Sequence, residues 1–179
     1  MKLGMIIDLR RCLGCMACVV ACQVENRVPS GQRRLRIETD EAGSFPHTKV
    51  SIRPVRCNQC DDPPCVSVCP TNATYIGDPG NIVKIEKSRC IGCGACVNAC
   101  PYGARFLNSE SGVAEKCSFC DHRIMADLLP VCVEICPSQA IIIGDLDDPG
   151  STIRLSMSDR DFSTEKPAAG AKPRIFYRK

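Results

Sequence analysis

Sixteen cysteines in a chain of 179 residues fall into four groups of four. Cys12, Cys15, Cys18 and Cys22 are spaced C-x2-C-x2-C-x3-C, and so are Cys90, Cys93, Cys96 and Cys100. Cys57, Cys60, Cys65 and Cys69 read C-x2-C-x4-C-x3-C, while Cys117, Cys120, Cys132 and Cys136 read C-x2-C-x11-C-x3-C. Thiols in such numbers serve disulfides, zinc sites or iron–sulfur clusters. The chain opens MKLGMIIDLRRC with no signal-peptide pattern, which argues against the secreted setting of a disulfide scaffold. The compact spacing favours clusters: three thiolates on a tight loop surround a cubane, and the fourth, on the next helical turn, faces a second one. A zinc ion needs only four sulfurs at one tetrahedral point, commonly from two C-x2-C pairs far apart. Quartets one and three do not look like that, and the eleven-residue gap in quartet four keeps zinc open for it alone.

The segments between the quartets must position them. TKVSIRPVRC before quartet two alternates apolar and polar residues, as a strand does. NATYIGDPGNIVKIEKSRC reads as strand, Asp-Pro-Gly turn and strand, and ARFLN after quartet three as another short strand. Pro70, Pro101 and Pro137 directly follow the last cysteine of quartets two, three and four, where proline ends a short helix. Gln23 stands there in quartet one, so its exit differs. Strand, quartet, hairpin, quartet, strand is the layout of a bacterial two-cluster ferredoxin, complete within residues 48–108. GMIIDLRRC and AIIIGDL repeat the outer frame and can pair side by side, closing a second, discontinuous unit from residues 1–47 and 109–150. The expected fold class is therefore α+β: two ferredoxin-like two-cluster units, one inserted within the other, with residues 151–179 as an extended partner-docking arm.

Quartet two then pairs with three, and quartet one with four. Crossing over gives four ligand sets: Cys12, Cys15, Cys18 and Cys136; Cys22, Cys117, Cys120 and Cys132; Cys57, Cys60, Cys65 and Cys100; Cys69, Cys90, Cys93 and Cys96. A closed zinc site at quartet four would leave Cys22 with no second cluster and the first cluster one ligand short, so parity argues against zinc.

CNQCDDPPCVSVCP, CIGCGACVNACPYGARF and CSFCDHRI…PVCVEICP resemble the four-cluster electron-transfer subunit of molybdopterin oxidoreductases, nearest to those of polysulfide, thiosulfate and tetrathionate reductases and more broadly of dimethyl sulfoxide reductase. The likeness runs from Met5 to Gly150. It implies four [4Fe-4S] clusters in a wire, a large molybdopterin (Mo or W) catalytic partner and an integral-membrane, quinone-linked partner. Some relatives replace one ligand and hold a three-iron cluster, but here every matching position is Cys. Met125-Ala126-Asp127 departs from the family, where glycine is common.

Other classes fit less well. No Ser/His/Asp arrangement or phosphate-binding glycine loop is legible, so no catalytic residue is expected. His47 and His122 read as surface or supporting residues, given a full cysteine set. The formal charge of +3 treats every thiol as neutral; four oxidised cubanes with their thiolates bring it to about −5. No nucleic-acid binding is therefore inferred from charge, and Arg33-Arg34-Leu35-Arg36 reads as a solvated or partner-facing stretch. Asp61-Asp62-Pro63-Pro64 reads as a bulge in its cluster loop, with a partner contact as the other reading. No apolar run nears the roughly 18 residues of a membrane span. The chain alone reads as cytoplasmic, and a periplasmic, membrane-associated place stays open if it is exported with its partner. A ferredoxin-like subunit of a hydrogenase or formate dehydrogenase, and a free polyferredoxin, are the alternative carriers. Aromatic residues make up only 4% of the chain, with no Trp, so the cluster-free chain is expected to be largely unfolded.

Overall fold

The computed structural model describes residues 1–158 and 162–179. Leu3–Asp8 (β1) is buried along all six residues and leads directly into quartet one, as an apolar run covered on both faces should be. Ala17–Glu25 (α1) carries Cys18 and Cys22 and runs on for nine residues, because no proline stops it. Leu35–Ala42 (β2) and Lys49–Arg56 (β3) form a long antiparallel hairpin that delivers quartet two. Pro64–Ser67 (α2) holds Cys65, and its first position suits proline, whose missing N–H has no helical acceptor there. Thr74–Gly77 (β4) and Ile82–Ile85 (β5) pair across the Asp-Pro-Gly turn. Ala95–Asn98 (α3) holds Cys96, and Phe106–Leu107 (β6) pairs with Ala114–Glu115 (β7). Asp121–Ile124 (α4) occupies the eleven-residue gap, and Val131–Glu134 (α5) holds Cys132. Ile141–Asp145 (β8), Thr152–Ser156 (α6), Phe162–Ser163 (β9) and Ile175–Arg178 (β10) complete the chain.

β8 lies antiparallel to β1 with Met5 opposite Ile143, the side-by-side pairing expected of GMIIDLRRC and AIIIGDL. On the other edge of β1 lies β10, parallel, with Met5 opposite Ile175, and β9 closes the order β8-β1-β10-β9. Residues 162–163 and 175–178 of the segment expected to dock on a partner thus lie in this chain's own sheet. Ile175 and Tyr177 are buried, and the Tyr177 hydroxyl donates to the carbonyl of Pro54 at 3.0 Å. One face of the sheet, with Leu3, Met5, Ile7, Ile141, Ile175 and Tyr177, turns towards the cysteine loops. On the opposite face α6 lies against β8, where a Cβ at Gly144 would come within 2.9 Å of Ile153.

The strands of residues 48–108 occur in the expected order, but the outer two are shared with their surroundings. β3 pairs with β2, and β6 with β7, both partners lying outside that range. No helix among the described residues is long and apolar enough to cross a membrane.

Candidate iron–sulfur sites

In each quartet the residue just before the second cysteine has a positive φ: Gly14 at 65°, Gln59 at 47°, Gly92 at 69° and Phe119 at 56°. This left-handed step turns the loop so that the cysteines either side aim at one point. Glycine takes it freely, whereas Gln59 and Phe119 are held there by burial. The buried Gln59 side chain donates to the carbonyl of Cys117 at 2.8 Å and accepts from the N–H of Val83 at 2.7 Å, tying quartet two to quartet four and to the hairpin. The exits repeat as well. After Pro70, Pro101 and Pro137 the chain turns so that Asn72, Gly103 and Gln139 donate to the carbonyls of Cys69, Cys100 and Cys136, each again at positive φ.

The cysteines gather across the sequence. One small cavity is walled by Cys12, Cys15, Cys18 and Cys136, a second by Cys22, Cys117, Cys120 and Cys132, and a third by Cys57, Cys60, Cys65 and Cys100. Each draws its cysteines from two quartets. Of the remaining four, Cys90 and Cys96 pack with Cys65, Val83 and Ala114, Cys69 leaves α2 half-buried, and Cys93 is exposed. Cys15 and Cys93 are exposed, whereas all of Cys22, Cys117, Cys120 and Cys132 are buried.

Burial pushes the thiols of Cys18 and Cys65 up to about 11, and those of Cys60 and Cys117 up to about 12. Such groups are protonated at neutral pH unless a cation takes the proton's place, so loading them with iron displaces protons. At Cys69 and Cys136 burial acts in the same direction but the N–H donors of the following turn outweigh it, bringing Cys69 down to about 7. Donors to sulfur surround the cavities: the N–H of Ala140 to Cys136 at 3.3 Å, that of Phe119 to Cys117 at 3.4 Å, and Asn26 Nδ2 to Cys22 at 3.6 Å. Arg56 Nη1 donates to Cys132 Sγ at 3.0 Å. Sulfur-only donor sets, each walling one cavity and supplied with N–H donors, suit a compact anionic iron–sulfur group.

Several residues not singled out in the sequence stand here: Arg56, Asn26, Gln59, Arg105 and Lys116. Arg56 had a faint signal, as it directly precedes Cys57 at the inner end of an alternating strand. His122 is on the surface, 2.7 Å from Glu25, and His47 is exposed. Asp61 and Asp62 bind Lys2 at 2.6 Å and Lys172 at 2.7 Å, so the bulge ties both chain ends to quartet two. Arg34 pairs with Glu115 at 3.0 Å and Arg36 with Glu38 at 2.7 Å, and Leu35 is buried, leaving only Arg33 of that run exposed.

A small protein that folds most of its cysteines around cavities of this kind is an iron–sulfur protein of one-electron transfer. Two family models described as "4Fe-4S dicluster domain" match residues 48–146 and 11–73. The sequence is 47% identical over 181 residues to a subunit of the tetrathionate reductase of Salmonella typhimurium, covering 98% of this chain and 72% of that protein. It is 42% identical to the thiosulfate reductase electron transfer subunit PhsB of Salmonella typhi, with 98% and 91% covered. It is 39% identical to a polypeptide of the polysulfide reductase of Wolinella succinogenes, with 98% and 93% covered. This protein belongs to that family of iron–sulfur electron-transfer subunits of reductases, built from 4Fe-4S dicluster domains. It carries four [4Fe-4S] clusters and transfers electrons rather than transforming a substrate.

Proposed function

We propose that this chain is the electron relay of a sulfur-compound reductase, standing between an integral-membrane, quinone-linked subunit and a molybdopterin catalytic subunit. The observation that carries the reading is the crossed gathering of cysteines: Cys136 beside Cys12, Cys22 beside Cys132, and Cys100 beside Cys57. This supports the four crossed ligand sets, and with them two ferredoxin-like pairs interleaved as an inner unit within an outer one. The antiparallel contact of β1 with β8 supports the same arrangement, since it joins the two halves of the outer unit. Clusters bound at these sites supply one-electron carriers.

The protein's own part is to hold, insulate and present them. The sets at Cys22 and Cys57 are the inner pair, linked through Gln59 and the Cys117 carbonyl. The sets at Cys12 and Cys69 are the outer pair, and the exposed Cys15 and Cys93 are their outward faces. Leu13 beside Cys15 is 68% exposed and Ile91 beside Cys93 is 67% exposed, apolar rims suited to burial against a partner. Further exposed apolar residues, Val20, Val24, Met125, Leu128 and Leu129, lie on α1 and the gap loop. The side of the membrane is then that of the catalytic partner, with this chain exported folded beside it where that partner is periplasmic.

Anaerobic purification of a tagged chain from its own host tests this. A larger pterin-containing polypeptide should come with it, and a detergent-extracted membrane subunit should join them. Recovery of the chain alone from the soluble fraction contradicts the reading and favours a free carrier.

A further inference from the structure

Two arginines are buried beside the inner sites in an unusual state. Arg56 is 1% exposed and Arg105 is 4% exposed. Arg56 Nη1 reaches Cys132 Sγ at 3.0 Å, while its Nε and Nη2 have no hydrogen-bond partner. Arg105 Nη1 reaches Thr74 Oγ1 at 3.3 Å, and its Nε and Nη2 are likewise without a partner. Neither forms an ion pair with a carboxylate among the described residues, in contrast to Arg34 with Glu115 and Arg53 with Glu38 at 2.7 Å. A guanidinium does not give up its proton, and burying one without a counter-charge is strongly unfavourable. Arg56 faces the cavity of Cys22, Cys117, Cys120 and Cys132, and Arg105 that of Cys57, Cys60, Cys65 and Cys100. The counter-charges within reach are the cysteine sulfurs: Cys132, Cys117 and Cys18 for Arg56, and Cys65, Cys57 and Cys96 for Arg105. Arg56 therefore touches one inner site and feels the outer site next to it, while Arg105 lines the inner cavity of Cys57 and Cys65 and turns a hydrogen bond towards Cys96 of the outer set.

We propose that Arg56 and Arg105 are charge-compensating residues that raise the reduction potentials of the two inner iron–sulfur sites and so keep them level with the solvent-exposed ends. The inference rests on the ligand sets proposed above. One electron added at a four-thiolate cubane site takes its net charge from about −2 to about −3 with no proton needed. In a buried site the extra negative charge is poorly solvated, which depresses the potential. At Cys15 and Cys93 water does part of that solvation. In the interior a fixed cation must do it, and Arg56 and Arg105 are placed to do so. Lys116, 4% exposed, donates to the Cys117 carbonyl at 2.9 Å and adds a third buried basic side chain along the same line.

The test is an EPR-monitored redox titration, with dithionite as reductant, of the intact complex or the full holo-chain. Arg56→Gln at full iron content should lower the potential of the site holding Cys132 by tenfold or more in its reduction equilibrium, about 59 mV for one electron. The site holding Cys12 should shift less, and that holding Cys93 least. Arg105→Gln should instead shift the site holding Cys65 most. Arg56→Lys should restore most of the change. Unshifted potentials in an iron-replete Arg56→Gln protein overturn the assignment, as does iron loss that Arg56→Lys does not restore, which marks a purely structural role. Failure of the ligand sets themselves is read separately, from which cluster is lost when a cysteine is replaced.

Discussion

Arg174 shows how much one side chain from the end of the sequence can organise. It is 2% exposed, and its guanidinium donates to the carbonyls of Leu3, Gln59, Gly80 and Asn81. Those carbonyls belong to β1, the quartet-two loop and the hairpin turn, three segments far apart in the chain. Arg174→Met removes the donor from the Gln59 and Leu3 carbonyls and leaves the Gly80 carbonyl only the Leu3 N–H, and it should lower stability by roughly 3 kcal/mol. A denaturant titration followed by cluster absorbance should show the earlier midpoint; an unchanged midpoint contradicts this. Cysteine spacing made the ligand candidates legible, because cubane geometry demands that spacing. It was silent on Arg174, Arg56 and Gln59, whose roles depend on what long-range packing brings to them. The Arg33–Arg36 run shows the converse: composition suggested an outward-facing patch, but two of its arginines find carboxylates nearby.

At the scale of elements, the hairpin turn must admit β1. A Cβ at Gly80, whose φ is +72°, would lie 2.2 Å from the Leu3 side chain, whereas one at Gly31, with φ +81°, meets nothing within 4 Å. Gly31→Ala should cost about 1 kcal/mol for the left-handed backbone alone. Gly80→Ala should cost that and roughly 1–3 kcal/mol more for overpacking. Equal thermal shifts for the two would show that the Leu3 contact does not matter. The cluster helices were readable because proline after Cys69, Cys100 and Cys136 stops them, and its absence after Cys22 lets α1 continue. β10 was not readable. Its four residues are too few for a periodic signal, and it is a strand only because β1 offers it an open edge. Likewise β3 was placed by its alternation, but its partner β2, whose apolar residues are only Leu35, Ile37 and Ala42, carried no comparable mark.

For the whole molecule, the cysteines are part of the core: Cys18, Cys22, Cys57, Cys60, Cys117 and Cys132 lie in the same buried cluster as Met5, Ile7, Phe119 and Ile175. Removing iron leaves buried, proton-bearing thiols around unfilled space, so the chelated protein should lose most native circular dichroism. Retention of the native spectrum would show that the β1 sheet and α6 suffice without metal. In the proposed arrangement Arg56 stands between the first two sets, Gln59 between the middle two and Arg105 between the last two, neighbours that cysteine spacing alone could not supply. The central claim is that the ligand sets cross between distant quartets. EPR spectra of Cys136→Ser and Cys132→Ser, each purified anaerobically with iron and sulfide counted, test it most directly. Cys136→Ser should convert or remove the cluster held by Cys12, Cys15 and Cys18 and spare the one held by Cys22, Cys117 and Cys120, with Cys132→Ser doing the reverse. Loss of one and the same cluster in both variants would contradict the crossed sets.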